Sequence, residues 1–104
     1  MIRMMYTEFA ALRDDQKQRL IDVREQNEYD EVHVHGVELL PLSKIRQGIL
    51  PDDDGRQLVL ICRSGARSAM AGQHFEASGF SEVINIEDGT LGAIAAGETH
   101  VNRP

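Results

Sequence analysis

Residues 57–68 read Q57-L-V-L-I-C-R-S-G-A-R-S68: an unbroken apolar run, a cysteine, then two arginines set among small residues. A continuous apolar segment of this length fits a strand covered by helices on both faces, the condition of a central strand in a parallel sheet. Residues just past the carboxyl end of such a strand open into the crevice where α/β sheets bind their ligands. Cys62 stands there. If residues 63–66 curl before the next helix begins, their backbone N–H groups point inward and form an anion-binding nest, backed by the positive end of the helix dipole. Gly65 supplies the positive φ that so tight a curl needs. A thiolate held there beside Arg63 and Arg67 is expected to have a lowered pKa and to be nucleophilic near neutral pH. Packing alone asks only for a small apolar side chain at 62. It gives no reason for Arg63, Ser64, Gly65, Arg67 and Ser68.

Working outward from this stretch, Ala66 to Ala77 reads as a helix. Gly79 is its left-handed stop, with Phe80 folding back on Phe75. LIDV (20–23), VELLPL (37–42, halted by Pro41) and VINI (83–86) read as further strands. A first helix is expected after Thr7 as N-cap, with Phe9, Ala10 and Leu12 as its apolar stripe. REQNEYDEV runs into a short helical turn, another helix begins at Ser43 and ends before Pro51, and TLGAIAAG is the last. PDDDG (51–55) is a solvated turn. Strand and helix alternate, which implies parallel strands with crossover helices, a three-layer α/β fold in a single domain over 1–104.

The chain has 104 residues, 17 acidic against 11 basic, for a formal net charge of −6. That balance speaks against a nucleic-acid or anionic-membrane surface and makes the arginines around Cys62 a local feature. No apolar run approaches the about 20 residues of a membrane span, and MIRMMYTEF lacks the apolar core of a signal peptide, so a soluble, cytoplasmic protein is expected. With one cysteine there is no internal disulfide, and four scattered histidines make no standard zinc pattern. His33 and His35 share a face if VHVHG is extended. Paired metal ligands are conceivable there.

Three segments, LIDVREQNEYDEVHVHG (20–36), CRSGARSAMA (62–71) and GFSEVINIEDG (79–89), together resemble the rhodanese-like domain family, and the likeness runs from about Thr7 to Val101. The resemblance implies a parallel sheet of about five strands with helices on both faces, and sulfane-sulfur transfer through a cysteine persulfide. It makes Cys62 the nucleophile and Arg63, Ser64, Gly65, Ala66 and Arg67 the substrate-binding loop. Asp22 and Arg24 match the family's D-x-R element and, with Ser68, are supporting positions; Arg24 could help orient the loop, but beside Asp22, Glu25 and Glu28 it reads rather as a structural ion pair, and Asp22 as a carboxylate tying down the turn after its strand. The implied partners are a small sulfur donor such as thiosulfate or a persulfide, and a thiol or protein acceptor, with cyanide serving in the test tube. The resemblance also implies an architectural rather than metal-binding role for the histidine stretch, and a chemistry that needs no metal or organic cofactor. The sequence departs from the family at V32-H-V-H-G36, where G-H-I-P-G is usual, at D88-G89, where two glycines are usual, and at Ala93, where tryptophan is frequent.

Two other readings use the same residues. A regulatory or docking module would keep the fold without the chemistry, although it would have no need of the complete loop. A cysteine-dependent phosphatase or arsenate reductase also cradles an anion over a thiolate, but with C-x5-R, whereas Cys62 to Arg67 is C-x4-R. One residue fewer gives a narrower ring of amides, suited to a sulfur atom more than to a phosphate. Release of nitrophenol from an aryl phosphate, followed at high protein concentration, should accordingly show no Cys62-dependent hydrolysis; a robust rate lost in Cys62→Ser would reverse this ranking.

Overall fold

The apolar run lies where its composition puts it, in the middle strand of a sheet. The structure, a computed structural model, describes residues 1–104. Its elements are β1 (Ile2–Met4), α1 (Tyr6–Leu12), β2 (Gln18–Asp22), α2 (Gln26–Glu31), β3 (His33–Val34), β4 (Glu38–Leu39), α3 (Leu42–Arg46), β5 (Gln57–Ile61), α4 (Ala66–Ala77), β6 (Ile84–Ile86), α5 (Gly89–Ala96), a 3-10 turn (Glu98–His100) and β7 (Val101–Asn102). The main sheet has five strands in the order β1-β6-β5-β2-β4, every pair parallel. No helix is long and apolar enough to cross a membrane.

Alternation along the strands divides the core in two. Leu58 and Leu60 of β5, and Cys62 after it, join Ile45 of α3 and Ala71 and Phe75 of α4 on one face. Val59 and Ile61 join Tyr6 and Phe9 of α1 and Ala93 of α5 on the other. The period of two that makes β5 a buried strand therefore also fixes the face of Cys62, beneath α4. In β6 the same rule sends Ile84 and Ile86 toward α1 and α5. Asn85, between them and only 1% exposed, faces the other way, under α4.

α4 ends as its sequence predicts. Gly79 has φ +100°, its N–H bonds to the Glu76 carbonyl at 3.2 Å, and the Phe80 N–H bonds to Phe75 at 3.1 Å. This is the paired closure of a Schellman motif, and the Phe75 and Phe80 rings lie 5.7 Å apart.

Several expectations are corrected. Thr7 is not a cap: α1 starts at Tyr6, and Thr7 lies exposed in its first turn. The free amides there are taken by carboxylates instead, Tyr6 N–H by Asp88 at 2.7 Å and Met5 N–H by Glu8 at 3.1 Å, so the acceptor comes mainly from across the fold. Leu12 is 66% exposed, and Tyr6 with Phe9 forms the buried stripe. The strand expected over 37–42 is confined to Glu38–Leu39, and α3 already begins at Leu42, with Pro41 before it as N-cap. β1 is an edge strand that three residues around a charged Arg3 did not announce; it pairs Ile2 with Ile84 and Met4 with Ile86. Nor is every pairing parallel, since β3 and β7 form a small antiparallel ribbon apart from the sheet.

Phe75 is wholly buried at the centre of the α4 face. Phe75→Ala should lower unfolding free energy by about 3–5 kcal/mol through lost burial and the cavity left behind, read as a reduced denaturant midpoint at unchanged slope.

Candidate active site

The chain leaves β5 at Ile61 and enters α4 at Ala66, so Cys62, Arg63, Ser64 and Gly65 must turn it over within one tight curl. Gly65 makes the turn at φ +98°, ψ −18°. No other residue fits there, because a Cβ would strike the Glu87 carbonyl oxygen as well as strain the backbone. The junction of β6 and α5 presses on the other end of the curl. Gly89, at φ +57°, leaves no room for a Cβ against the Cys62 and Arg63 carbonyls. Those carbonyls are held by α5: Cys62 accepts from the Thr90 N–H at 2.9 Å and the Thr90 hydroxyl at 3.1 Å, and Arg63 accepts from the Leu91 N–H at 3.2 Å.

With the carbonyls turned toward α5, the amides face the sulfur. Gly65 N–H donates to Cys62 Sγ at 3.1 Å and the Ser68 hydroxyl lies 3.4 Å from it. Cys62 itself is 1% exposed. Burial pushes its thiol up, but the Ser68 hydroxyl and the amides of Ser68, Ser64 and Gly65 outweigh that effect, and the pKa falls below the ordinary cysteine value. The positive end of the 12-residue α4 acts in the same direction.

Ser68 has one hydroxyl proton and three acceptors: Cys62 Sγ, the Gly65 carbonyl at 3.2 Å, and Asn85 Oδ1 in a close contact. Asn85 is fixed by its own donors, since Nδ2 reaches the Gly65 carbonyl at 3.2 Å and Glu87 Oε2 at 3.5 Å. The buried amide therefore holds Ser68 beside the sulfur and the loop carbonyl away from it. Sequence reasoning missed Asn85, Thr90 and Gly89. The signal for Asn85 was present as a lone amide in an apolar strand, VINI, where a buried polar group must find partners.

The two arginines differ. Arg67 is locked to Glu28 of α2 through paired bonds of 2.6 and 2.8 Å. Its guanidinium holds the Glu28 carboxyl below the usual range, and Glu28 in turn raises Arg67. Arg63 is exposed and makes no ion pair. Ser64 and Ala66 are exposed at the rim. Asp22 and Arg24 lie side by side after β2, both buried, joined at 2.8–3.0 Å, with Arg24 Nη2 also donating to the Val32 carbonyl at 2.6 Å. Through these bonds the pair ties the end of β2 to the end of α2. His33 stacks on Tyr29 at 3.9 Å, its Nδ1 lies 2.9 Å from the Tyr29 carbonyl and its Nε2 3.4 Å from the Asn102 amide, while His35 falls in the turn beyond β3. Asp88, at one of the unusual positions, spends its carboxylate on Tyr6 N–H and lies against Gly92, where a Cβ would collide with it.

The model of the rhodanese-like domain matches residues 5–95. YrkF of Bacillus subtilis, whose name describes a sulfur carrier, is 35% identical over 75 residues, which take in 72% of this chain and 40% of that protein. The probable adenylyltransferase/sulfurtransferase MoeZ of Mycobacterium tuberculosis is 40% identical over 79 residues, 72% of this chain but 20% of that protein. The chain thus spans less than half the length of either relative. A rhodanese-like domain protein of Staphylococcus aureus superposes with a TM-score of 0.81 at 22% identity, covering 100% of this chain and 99% of the other, and so shares the fold.

Alkylation of Cys62 by iodoacetamide follows the thiolate fraction, so its rate should climb with pH through a midpoint below that of a free cysteine. Ser68→Ala removes a donor that favours the anion and should move the midpoint up, slowing alkylation at neutral pH; a midpoint that stays put would leave the amides as the whole cause.

Proposed function

The chain belongs to the rhodanese-like domain family, and on that premise we propose that it is a sulfurtransferase, moving sulfane sulfur through a persulfide on Cys62. The observation that carries the reading is the sulfur of a single cysteine held at the amino end of α4, inside a curl of N–H donors with a lowered pKa. Relatives named for sulfur carriage and sulfur transfer support it.

The chemistry has two half-reactions. The Cys62 thiolate attacks the outer sulfur of thiosulfate; the new S–S bond forms as the donor's bond breaks, leaving Cys62–S–S⁻ and sulfite. With a persulfide donor the leaving group is a thiolate. An acceptor thiolate, or cyanide in vitro, then takes the outer sulfur and returns Cys62 to its thiolate. The loop amides that lower the thiol pKa would hold the persulfide anion equally, since both charges sit within the same nest. By lowering the thiol pKa the loop raises the thiolate fraction available for attack, which lessens the need for a separate general base. Arg63 meets the incoming anion, Arg67 braces the loop through Glu28, Ser68 supports it from behind, and Asp22 with Arg24 ties down the end of β2 beside it. A protein docking module without chemistry is the second reading, and the intact cysteine loop speaks against it.

Because there is one cysteine, the loaded enzyme has no internal thiol to discharge it. Intact-mass measurement after incubation with a sulfane donor should show one added sulfur atom per chain, removed by dithiothreitol or cyanide and absent in Cys62→Ser, which should retain its fold and lose all transfer. Equal added mass in the Cys62→Ser variant, or none with any donor, would return the protein to the docking reading.

A further inference from the structure

The mouth of the loop is close to electrically neutral, although its sequence reads as cationic. Three arginines lie on or beside the loop, Arg63 and Arg67 within it and Arg24 across the neighbouring cleft. Arg24 is consumed by Asp22, and Arg67 by Glu28. Arg63 alone is uncompensated. Beside the loop lies a cleft of about 180 Å³ whose lining residues include Arg24, Arg63, Glu28 and Glu31. Glu31, exposed at the end of α2, makes no ion pair or hydrogen bond. The cleft thus offers one unpaired cation, Arg63, and one unpaired carboxylate, Glu31. Its remaining wall includes Val32, Leu91 and Ile94, with Leu91 43% exposed.

An inorganic dianion suits this mouth poorly. Thiosulfate brings two negative charges and no apolar surface to a chain of net charge −6, and the second loop arginine that would offset them is already neutralised. A zwitterion suits it well, with a carboxylate for Arg63, an ammonium for Glu31 and a carbon body for the apolar wall. Resting on the sulfurtransferase reading above, we propose that the preferred donor is a low-molecular-weight amino-acid persulfide of the cysteine persulfide type, and that Glu28 and Glu31 set this preference over thiosulfate. The loading step balances: the Cys62 thiolate attacks the terminal sulfur of R–S–SH, the new S–S bond forms, the donor's S–S bond breaks, and R–S⁻ leaves with the electron pair while the proton stays on Cys62–S–SH. Glu28 acts through Arg67, and Glu31 directly on the donor.

The test compares rates of Cys62 loading, by quenched intact mass, from thiosulfate, cysteine persulfide and N-acetylcysteine persulfide. Wild type should load fastest from cysteine persulfide. Glu28→Gln frees Arg67, and the thiosulfate-to-cysteine-persulfide ratio of kcat/KM should rise about tenfold, with a steeper fall of thiosulfate loading as salt is added. Glu28→Asp, which keeps the charge, should stay near the wild-type ratio. Glu31→Gln, at an exposed site without structural partners, should slow cysteine persulfide about threefold or more and leave the N-acetyl donor, which lacks the ammonium, unaffected; it carries the test should Glu28→Gln not fold. Faster wild-type loading from thiosulfate, or a donor ratio unmoved in both glutamine variants, overturns the inference while leaving the sulfurtransferase reading intact. Failure of Cys62 to load from any of the three removes both.

Discussion

Everything at the site depends on the contact between two backbones. The curl from Cys62 to Gly65 lies directly against the β6–α5 junction, with Gly65 over the Glu87 carbonyl and Gly89 under the carbonyls of Cys62 and Arg63. Two glycines are needed because neither surface can yield. The consequence is directional: once α5 has taken the loop's carbonyls on Thr90 and Leu91, the loop's N–H groups have only the sulfur side left to face. A nest is thus imposed on the loop from outside, and the sulfur need not organise its own donors.

The same contact explains why a buried thiol can be acidic. Removing a sulfur from water disfavours its anion. Here the compensation comes from neutral dipoles, several amides and a hydroxyl, backed by the end of α4. Full charges play a smaller part, because Arg67 is shared with Glu28 and Arg24 with Asp22. Asn85 completes the arrangement by engaging both the Ser68 hydroxyl and the Gly65 carbonyl, so that β6, α4 and the loop hold one another in register.

Sequence reading reached the elements that are long, periodic or bounded by glycine. The central strand, the whole of α4, the Gly79 stop and the loop were legible because each follows from local chemistry. β1, the β3–β7 ribbon and the true cap of α1 were not. A strand of three residues has too little pattern to see, and the amide that Asp88 satisfies lies 82 positions away in the chain. Cys62, Arg63 and Arg67 were named from the sequence, but the difference between the arginines was not legible, since Glu28 reaches Arg67 across 39 positions. Long-range carboxylate partners were the recurrent omission. Asp88 and Glu28 both sit in segments whose local pattern marks them only as polar surface.

Those omitted partners change how the loop is understood. Two arginines beside a cysteine suggest a site that gathers anions by charge, and in a protein of net charge −6 that would be its main attraction for an inorganic donor. Once Glu28 is placed on Arg67, the loop separates two tasks that the sequence runs together. Stabilising an anionic sulfur falls to fixed amides, which act at short range and are indifferent to what the sulfur was attached to. On the reading proposed above, choosing the donor falls to the mouth, where Arg63, Glu28 and Glu31 meet an apolar wall. On that reading the loop would keep its chemistry constant while single charge changes on α2, an element that makes no hydrogen bond to the sulfur, reset its substrate range.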